Sequence, residues 1–185
     1  MTLREKYGEW GIILGATEGV GKAFCERLAK EGMNVVMVGR REEKLKELGE
    51  ELKNTYEIDY KVVKADFSLP DATDKIFAAT ENLDMGFMAY VACLHSFGKI
   101  QDTPWEKHEA MINVNVVTFM KCFYHYMKIF AAQDRGAVIN VSSMTGISSS
   151  PWNGQYGAGK AFILKMTEAV ACDCLLYTSP SPRDR

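Results

Sequence analysis

The stretch GATEGVG at residues 15–21 decides the fold, because it places three glycines between an apolar segment and an amphipathic one. Residues 11–14 have the composition of a short buried strand, and residues 20–31 have the apolar spacing of a helix that Gly32 would end. A glycine turn between a strand and a helix lets the backbone approach a pyrophosphate, with the helix N-terminus pointing at it. The stretch predicts a dinucleotide site, and a glycine turn without a ligand is the alternative.

Four residues of this turn are candidate cofactor contacts. A side chain at Gly15, Gly19 or Gly21 would block either the approach of the pyrophosphate or the close packing of the helix. Val20 begins the predicted helix beside these glycines. The spacing G-x-x-x-G-x-G differs from the commoner G-x-G-x-x-G.

The rest of the chain alternates between strand and helix patterns. Further strands are predicted at residues 34–38, 60–65, 86–94 and 137–141, and further helices at residues 42–55, 70–80, 105–132 and 154–172. The run at 86–94 is continuously apolar, as expected of a central strand that is covered on both faces. The alternation predicts an α/β fold with a doubly wound parallel sheet.

Length and composition indicate one ordinary globular domain. The chain has 185 residues, of which 47% are apolar and 25% charged. A net charge of -2 gives no reason to expect nucleic acid or an anionic membrane as a partner. The start lacks the apolar core of a signal peptide, and no apolar run reaches the ~18 residues that span a bilayer. We therefore expect a cytoplasmic protein without a membrane segment.

The five cysteines and three histidines do not have the spacing of metal ligands. We expect no metal site, and we expect the cysteines to be buried, reduced thiols.

Two arginines follow the second predicted strand, where an NAD enzyme would carry an acid for the ribose 2′-hydroxyl. The guanidinium of Arg40 could pair bidentately with a 2′-phosphate, which a carboxylate would repel. We therefore expect NADP(H) as the cofactor, and the alternative is that Arg40 and Arg41 are solvated residues at a helix start. Asp66, after the third strand, is a candidate acceptor for the adenine amino group.

Tyr156 and Lys160 lie four residues apart in QYGAGK, thirteen residues after Ser143. Residues at i and i+4 share a helix face, so both side chains could enter one cleft and also face the cofactor. An ammonium about 4 Å from the phenol contributes about 4 kcal/mol at an effective dielectric of about 20, which would bring the tyrosine pKa from about 10 toward about 7. Ser143 follows the fifth strand and could hold a substrate oxygen. An exposed amphipathic helix is the alternative for the Tyr/Lys pair.

Four motifs occur in the order of one family: GATEGVG, NVNVV around Asn115, GAVINVSS ending at Ser143, and YGAGK. Over residues 7–173 the chain resembles a classical short-chain dehydrogenase/reductase. The resemblance implies a Rossmann-type fold, a carbonyl or alcohol substrate and a homo-oligomer. It also implies Asn115 as a fourth catalytic residue, which holds a water-linked proton relay to Lys160.

The opening segments are similar to the branch that contains long-chain 3-oxoacyl-CoA reductases and 17β-hydroxysteroid dehydrogenases. This similarity suggests an NADP(H)-dependent oxidoreductase that interconverts a ketone and a secondary alcohol, with a 3-oxoacyl or ketosteroid-like substrate. Two features depart from the family pattern: Leu14 replaces a threonine, and VACLH at residues 91–95 replaces Asn-Asn-Ala-Gly. A catalytically idle NADP-binding regulatory protein is therefore the alternative function.

Residues 174–185 do not resemble the family. Residues 174–184 match, codon by codon, the translation of a transposon-end adapter used to prepare sequencing libraries. We expect residues 1–173 to be a truncated NADP-binding domain and residues 174–185 to be non-native, with a natural disordered Ser/Pro tail as the alternative. The sheet would then be incomplete at its C-terminal end, the fifth strand would be an unprotected edge, and the 185-residue chain would be unstable and inactive.

Overall fold

The protein forms a five-stranded parallel sheet between two layers of helices, in a computed structural model that describes residues 1–148 and 150–178. The strands are β1 (Trp10–Leu14), β2 (Asn34–Gly39), β3 (Tyr60–Lys64), β4 (Met85–Tyr90) and β5 (Ala137–Asn140). The helices are α1 (Leu3–Tyr7), α2 (Gly19–Lys30), α3 (Glu42–Tyr56), α4 (Ala72–Thr80), α5 (Trp105–Ile112), α6 (Phe119–Ala132) and α7 (Gly154–Thr178).

The strand order is β3-β2-β1-β4-β5, and every pairing is parallel. The chain first moves outward from β1 to β3 and then crosses to the other side of β1 to form β4. In open sheets of this kind, ligands bind outside the carboxyl ends of the strands where the order reverses. The doubly wound, Rossmann-type prediction is confirmed, and the reversal places the site beside β1 and β4.

Alternate strand residues belong to two separate cores, as expected when both faces of a sheet are covered. On one face, Ile12 and Tyr90 pack with residues of α4, α6 and α7. On the other face, Ile13 and Phe87 pack with residues of α2 and α3. The ends of β1 and β4, which meet at the site, are therefore held by a hydrophobic core on each face of the sheet.

The strand β4 ends at Tyr90, four residues before the predicted end at 94. The backbone N–H groups of Val91 and Ala92 both donate to the carbonyl of Leu14, at 2.9 and 2.8 Å. Shortly afterwards, Leu94 bonds the side chain of Asn115 instead of a neighbouring strand. The apolar run predicted a longer strand because its last residues line a cavity rather than continue the sheet.

The predicted helix at 105–132 is helical throughout but contains a π-helical segment, Asn113–Thr118, between α5 and α6. Such segments are often found at functional sites. Here the segment includes Asn115, which is 1% exposed. The periodicity of the sequence predicted the helix but not this change of hydrogen bonding.

The helix α1 was not predicted from the sequence. It begins with a capping box, in which Thr2 Oγ1 accepts from the Glu5 amide and Glu5 accepts from the Thr2 amide. Its end packs against the sheet, where Arg135 donates to the Tyr7 carbonyl at 2.7 Å.

The helix α7 begins at Gly154 as predicted but extends to Thr178, beyond the expected end at 172. The sequence contains no proline between Gly154 and Thr178, and a proline, which cannot continue a helix, first follows at position 180. Residues 179–185, which belong to the segment predicted to be non-native, lie outside the described residues. Within the described part of the chain, β5 is the last strand on its side of the sheet, as predicted.

Candidate functional site

A cavity of about 620 Å³ opens at the carboxyl ends of β1, β2 and β4. It is lined by Gly15, Val20, Arg40, Asp66, Tyr156 and Lys160, all of which were predicted as site residues. Its remaining lining includes Cys93 and Leu94, from the segment 91–95 that departs from the family pattern, and Thr17, Phe67 and Val141, which the sequence analysis did not name as site residues. These five follow strand ends, and that position was the signal that could have identified them.

The glycines of the turn are required for three different reasons. Gly15 has φ +100°, and a Cβ there would lie 2.6 Å from the amide nitrogen of Ala92. Gly21 permits close packing of α2, because its Cβ would lie 1.9 Å from the Gly15 carbonyl oxygen. A Cβ on Gly19 would meet open space, so this position is selected by its φ of +56° and not by packing.

Val20 lies in the first turn of α2 and is 53% exposed toward the cavity. The N-terminus of α2, where Glu18 makes no side-chain cap, therefore opens on the cavity, and the first N–H groups of a helix suit a phosphate group. The glycine turn and the helix together fit the pyrophosphate of a dinucleotide.

Arg40 and Asp66 lie together at the β2 end of the cavity, with Arg40 Nη1 4.0 Å from Asp66 Oδ2. Burial alone would raise the pKa of Asp66, but bonds from the amide and hydroxyl of Ser68 and the charge of Arg40 lower it. The ionised carboxylate can accept a hydrogen bond from a ligand amino group. The side chain of Arg40 is 69% exposed, so its guanidinium is free to turn toward an anion.

Arg41 also lines this cavity, but its guanidinium is paired with Glu18 at 2.8 Å. A surface ion pair of this type contributes little to stability. It does hold Arg41 beside the glycine turn, which leaves Arg40 as the less constrained of the two cations.

Tyr156 and Lys160 project from one face of α7 into the cavity, as their spacing predicted. Lys160 Nζ lies 5.8 Å from the centre of the Tyr156 ring. The lysine is 1% exposed and donates to the carbonyl of Val141 at 2.7 Å. Burial lowers the pKa of Lys160. A buried lysine whose ammonium reaches a cavity is typical of functional sites.

The expectation that Lys160 would lower the pKa of Tyr156 is wrong for this arrangement. Burial raises the pKa of Tyr156, and the neighbouring Cys93 raises it further, while hydrogen bonding from Ser143 opposes the rise. The ammonium of Lys160 is directed to a backbone carbonyl and not to the phenol oxygen. The sequence argument assumed a separation of about 4 Å in a solvated cleft, but the phenol is partly desolvated.

Ser143 lies just after β5 and begins a short 3₁₀ turn, Met144–Gly146. Its hydroxyl oxygen accepts from the amide of Thr145 at 3.2 Å and from the hydroxyl of Thr145 at 3.0 Å. The hydroxyl proton of Ser143 therefore remains available for a ligand oxygen or for Tyr156. The structure brings Ser143 and Tyr156 together, as predicted.

Asn115 is buried in the π-helical segment, which packs against α7. Its amide bonds the backbone of Leu94 twice, donating to the carbonyl at 2.6 Å and accepting from the N–H at 3.1 Å. A Cβ on Gly159 would lie 2.9 Å from Asn115 Cβ, so this glycine permits the approach of α7. The geometry assigns the Asn115 amide to anchoring the segment after β4, and the water-linked relay stays a prediction.

Cys93 contradicts the expectation that the cysteines are buried. Cys25 and Cys122 are buried, but Cys93 and Cys172 are exposed. Cys93 lies in the cavity beside Tyr156, within the segment 91–95 that departs from the family pattern. This segment still lines the cavity, although its residue types differ from those of the family.

A second, larger cavity of about 960 Å³ lies between the loop after β4, the start of α5 and the start of α7. Its walls are mainly apolar and include Ile100, Trp105, Met111 and Trp152. The wall of this cavity lies next to the first site in the sequence. Gln155 on the wall directly precedes Tyr156, and Ser96 on the wall directly follows His95. The ring of His95 makes an edge-to-face contact with Tyr156, with centroids 5.9 Å apart.

Across the described residues, no three His, Cys, Asp or Glu side chains come close enough together to hold a metal ion. In the same part of the chain, no helix is both long and apolar enough to cross a bilayer.

The sequence matches a family model described as short chain dehydrogenase over residues 9–177. The 7beta-hydroxysteroid dehydrogenase of Mediterraneibacter gnavus is 99% identical over 173 residues, which cover 94% of this chain and 66% of that protein. The very-long-chain 3-oxoacyl-CoA reductase of Rattus norvegicus is 31% identical over 163 residues, or 85% of this chain and 52% of that protein.

Among solved structures, one from a study of 7beta-hydroxysteroid dehydrogenase stereoselectivity superposes with a TM-score of 0.93 at 83% sequence identity. The superposition covers 94% of this chain and 67% of that one. The chain spans 66% of the length of the 7beta-hydroxysteroid dehydrogenase from Mediterraneibacter gnavus.

Proposed function

The chain belongs to the short-chain dehydrogenases, and from this premise we propose that it is the cofactor-binding and catalytic part of an NADP(H)-dependent hydroxysteroid dehydrogenase. The reaction is the interconversion of a ketone and a secondary alcohol. One observation carries the proposal: Tyr156 and Lys160 enter the same cavity as the glycine turn, with Ser143 beside the phenol.

Each polar side chain has a distinct role in the proposed reduction. The hydroxyl of Ser143 donates to the substrate carbonyl oxygen and holds it beside Tyr156. When bound, the nicotinamide cofactor supplies a hydride to the carbonyl carbon. The phenol of Tyr156 transfers its proton to the carbonyl oxygen, which completes the alcohol. Lys160 then stabilises the resulting phenolate, and the reverse sequence oxidises the alcohol.

The raised pKa of Tyr156 is consistent with this direction of proton transfer. A phenol that keeps its proton at neutral pH is poised to act as an acid in the reduction. In the oxidation, the same group must first lose its proton, and the ammonium of Lys160, 5.8 Å from the centre of the ring, could stabilise the phenolate.

The choice of NADP(H) over NAD(H) rests on Arg40. This side chain lies at the end of β2, where the 2′-position of the adenosine ribose is expected, and the pairing of Arg41 with Glu18 leaves Arg40 as the available cation. Asp66, held ionised beside it, is the proposed acceptor for the adenine amino group.

The proposed substrate class is a steroid with a ketone or a 7β-hydroxyl at position 7. The support is the 99% identity to the Mediterraneibacter gnavus 7beta-hydroxysteroid dehydrogenase over 173 residues. The larger cavity, with its apolar walls of tryptophan, methionine and isoleucine, suits the rigid apolar body of a steroid. We place the ring system there, with the reacting carbon toward Tyr156.

Exposed apolar side chains along the helical stretch before β5 support a homo-oligomer as the working assembly. Val117 and Tyr124 are 39% and 60% exposed and lie seven residues apart, about two helical turns. Large exposed apolar side chains grouped on one side of a molecule are typical of a protein interface.

The test of this function is Tyr156→Phe, which removes the proton donor but keeps the ring. Turnover is measured with residues 1–173 joined to the remaining C-terminal part of the Mediterraneibacter gnavus relative, using a 7-oxosteroid and NADPH. We expect the turnover number to fall by about 10²–10⁴-fold, the usual contribution of an acid catalyst, with little change in NADPH affinity.

The control is Tyr56→Phe, which alters an exposed tyrosine at the end of α3 and should leave turnover unchanged. Unchanged turnover in Tyr156→Phe would show that another group is the acid. A fusion protein that binds NADPH but reduces no 7-oxosteroid or 3-oxoacyl substrate would favour the catalytically idle alternative, which the altered segment 91–95 motivates.

A further inference from the structure

His108 lies where three parts of the larger cavity meet. It belongs to α5, its ring contacts the side chain of Gln155 at the start of α7, and its other ring nitrogen contacts the carbonyl of Ile100 in the loop after β4. His108 and Gln155 both line this cavity, together with Ile100. One side chain therefore links the cavity loop to the helix that carries Tyr156.

The hydrogen bonds around the ring define its protonation state. The Gln155 amide nitrogen donates to the His108 carbonyl at 2.7 Å, so the amide oxygen must be the atom that faces His108 Nδ1. His108 Nε2 lies 3.1 Å from the Ile100 carbonyl oxygen, which is also an acceptor. Both ring nitrogens face acceptors, and only the imidazolium form has a proton for each.

Either neutral tautomer would leave one ring lone pair against an oxygen lone pair. Turning the Gln155 amide would not relieve this contact, because its oxygen would then face the His108 carbonyl. The geometry therefore selects the charged form. Consistently, the bond to Gln155, followed by that to Ile100, raises the pKa of His108, while burial opposes the rise.

The charged groups near this network are few and lie at the surface. On the loop, Lys99 and Asp102 flank Ile100, and on α5 the neighbours are Glu106, Lys107 and Glu109. The approach to α7, residues 150–155, contributes no titratable side chain. The raised pKa of His108 arises from hydrogen bonds, and none of these charges contributes to it.

We infer that His108, in its doubly protonated form, is a positioning residue that fixes the wall of the steroid cavity against the start of α7. The inference rests on the proposed function, because it assigns this cavity to the substrate. His108 does not touch the reacting atoms. It acts through Gln155, which directly precedes Tyr156, and through the loop at Ile100.

The pH dependence follows from the direction of the shift. The pKa is raised in the folded protein, so the full network is present below the ordinary histidine value of about 6.5 and is lost as pH rises through the higher folded value. Loss of the proton removes one hydrogen bond and loosens the loop. Steroid affinity should fall roughly threefold to tenfold above the folded pKa, as expected for one hydrogen bond.

The first measurement is an NMR titration of the histidine ring nitrogens in the 185-residue chain. The chain has three histidines, and His108→Gln identifies the resonance of His108. We expect His108 to titrate at a higher pH than an ordinary histidine, with the amides of residues 98–103 and of Gln155 titrating at the same midpoint. A His108 midpoint at or below the ordinary histidine value, or loop amides that do not follow its titration, would overturn the inference.

The second measurement is the affinity for a 7-oxosteroid across this pH range, followed by the fluorescence of Trp105 and Trp152 in the cavity wall. His108→Gln should bind weakly at every pH. His108→Arg keeps a permanent cation with several donors and should restore tight, pH-independent binding. His125→Gln, on the distant helix α6, should keep the wild-type profile.

The outcomes separate this inference from the proposed function. Steroid binding that is unaffected by pH and by His108→Gln would reject the positioning role while leaving the substrate class in place. An absence of binding at every pH would reject the proposed substrate, and the ring titration then still decides whether His108 holds the loop. Circular dichroism of each variant checks that an altered affinity does not arise from unfolding.

Discussion

Lys160 lies in the candidate site where the end of β5 meets α7. Its ammonium is buried and bonded to the carbonyl of Val141, while its own carbonyl accepts from the hydroxyl of Ser142 at 2.7 Å. Lys160 therefore joins the end of β5 to the middle of α7 through both its side chain and its backbone carbonyl. Burying a cation without a charged partner costs free energy. Lys160 would therefore stabilise an anion, such as a phenolate, in the cavity.

The proposal that the cofactor is NADP(H) and not NAD(H) can be tested at Arg40. Arg40→Ala should weaken NADPH binding by about 1.5–3 kcal/mol, the usual contribution of a hydrogen bond to a charged group, and leave NADH binding unchanged. The measurement is the dissociation constant of each dinucleotide by titration calorimetry. Arg27→Ala is the control, because Arg27 is 66% exposed and pairs with Glu31 on the outside of α2.

Equal losses for NADPH and NADH in Arg40→Ala would show that the guanidinium supports the turn and does not select the 2′-phosphate. An unchanged affinity for both would place the phosphate elsewhere, with Arg41 as the next cation in the cavity.

Among the elements, β5 differs most from the rest of the sheet. The strands β2 and β4 are buried along their whole length, whereas all four residues of β5 are partly or fully exposed. Ile139 is 41% exposed on this strand. An edge strand with exposed apolar side chains is a template for pairing with another chain.

Replacing Ile139 by lysine should therefore reduce aggregation of the 185-residue chain. A charged side chain on an edge strand disfavours edge-to-edge pairing and costs little at a partly exposed position. The measurement is the soluble fraction after incubation at raised protein concentration, with static light scattering. Leu69→Lys, at an exposed loop position, is the matched control for added charge. An equal gain in both variants would attribute the effect to net charge and not to the edge.

For the whole molecule, the domain boundary at 173 can be tested by removing residues 174–185. The residues 171–173 are exposed, so α7 has already left the core before the proposed boundary. We expect deletion to change the melting temperature by less than about 2 °C, because removal of surface residues changes stability by about 0.5 kcal/mol or less. A fall of more than about 5 °C, measured by circular dichroism, would show that this segment is part of the folded domain.

The fold and part of the site could be predicted from the sequence because they depend on local patterns. The strand–turn–helix unit around residues 15–21 requires glycines for reasons of backbone geometry, and the Tyr156/Lys160 spacing follows from the helical repeat. Ser143 was identified because the end of a parallel strand is a ligand-binding position. These features are set by residues close together in the chain, so their consequences could be worked out before any tertiary contact was known.

The tertiary structure decided what depends on desolvation and on contacts between distant segments. The pKa of Tyr156 is raised and not lowered, because α7 buries the phenol next to Cys93 and directs Lys160 to Val141. The strand β4 ends at Tyr90, and the segment after it leaves the sheet to line the cavity, where Asn115 from the π-helical segment bonds the backbone of Leu94.

His108 shows the same division between sequence and structure. Nothing in its local sequence indicates that both ring nitrogens face acceptors, since one acceptor comes from the loop and the other from α7. The sequence by itself determined the sheet, the cofactor turn and the Tyr/Lys face, because short-range sterics and periodicity set them. The electrostatics of the site depend on burial and on the direction of each donor, and only the folded chain determines these.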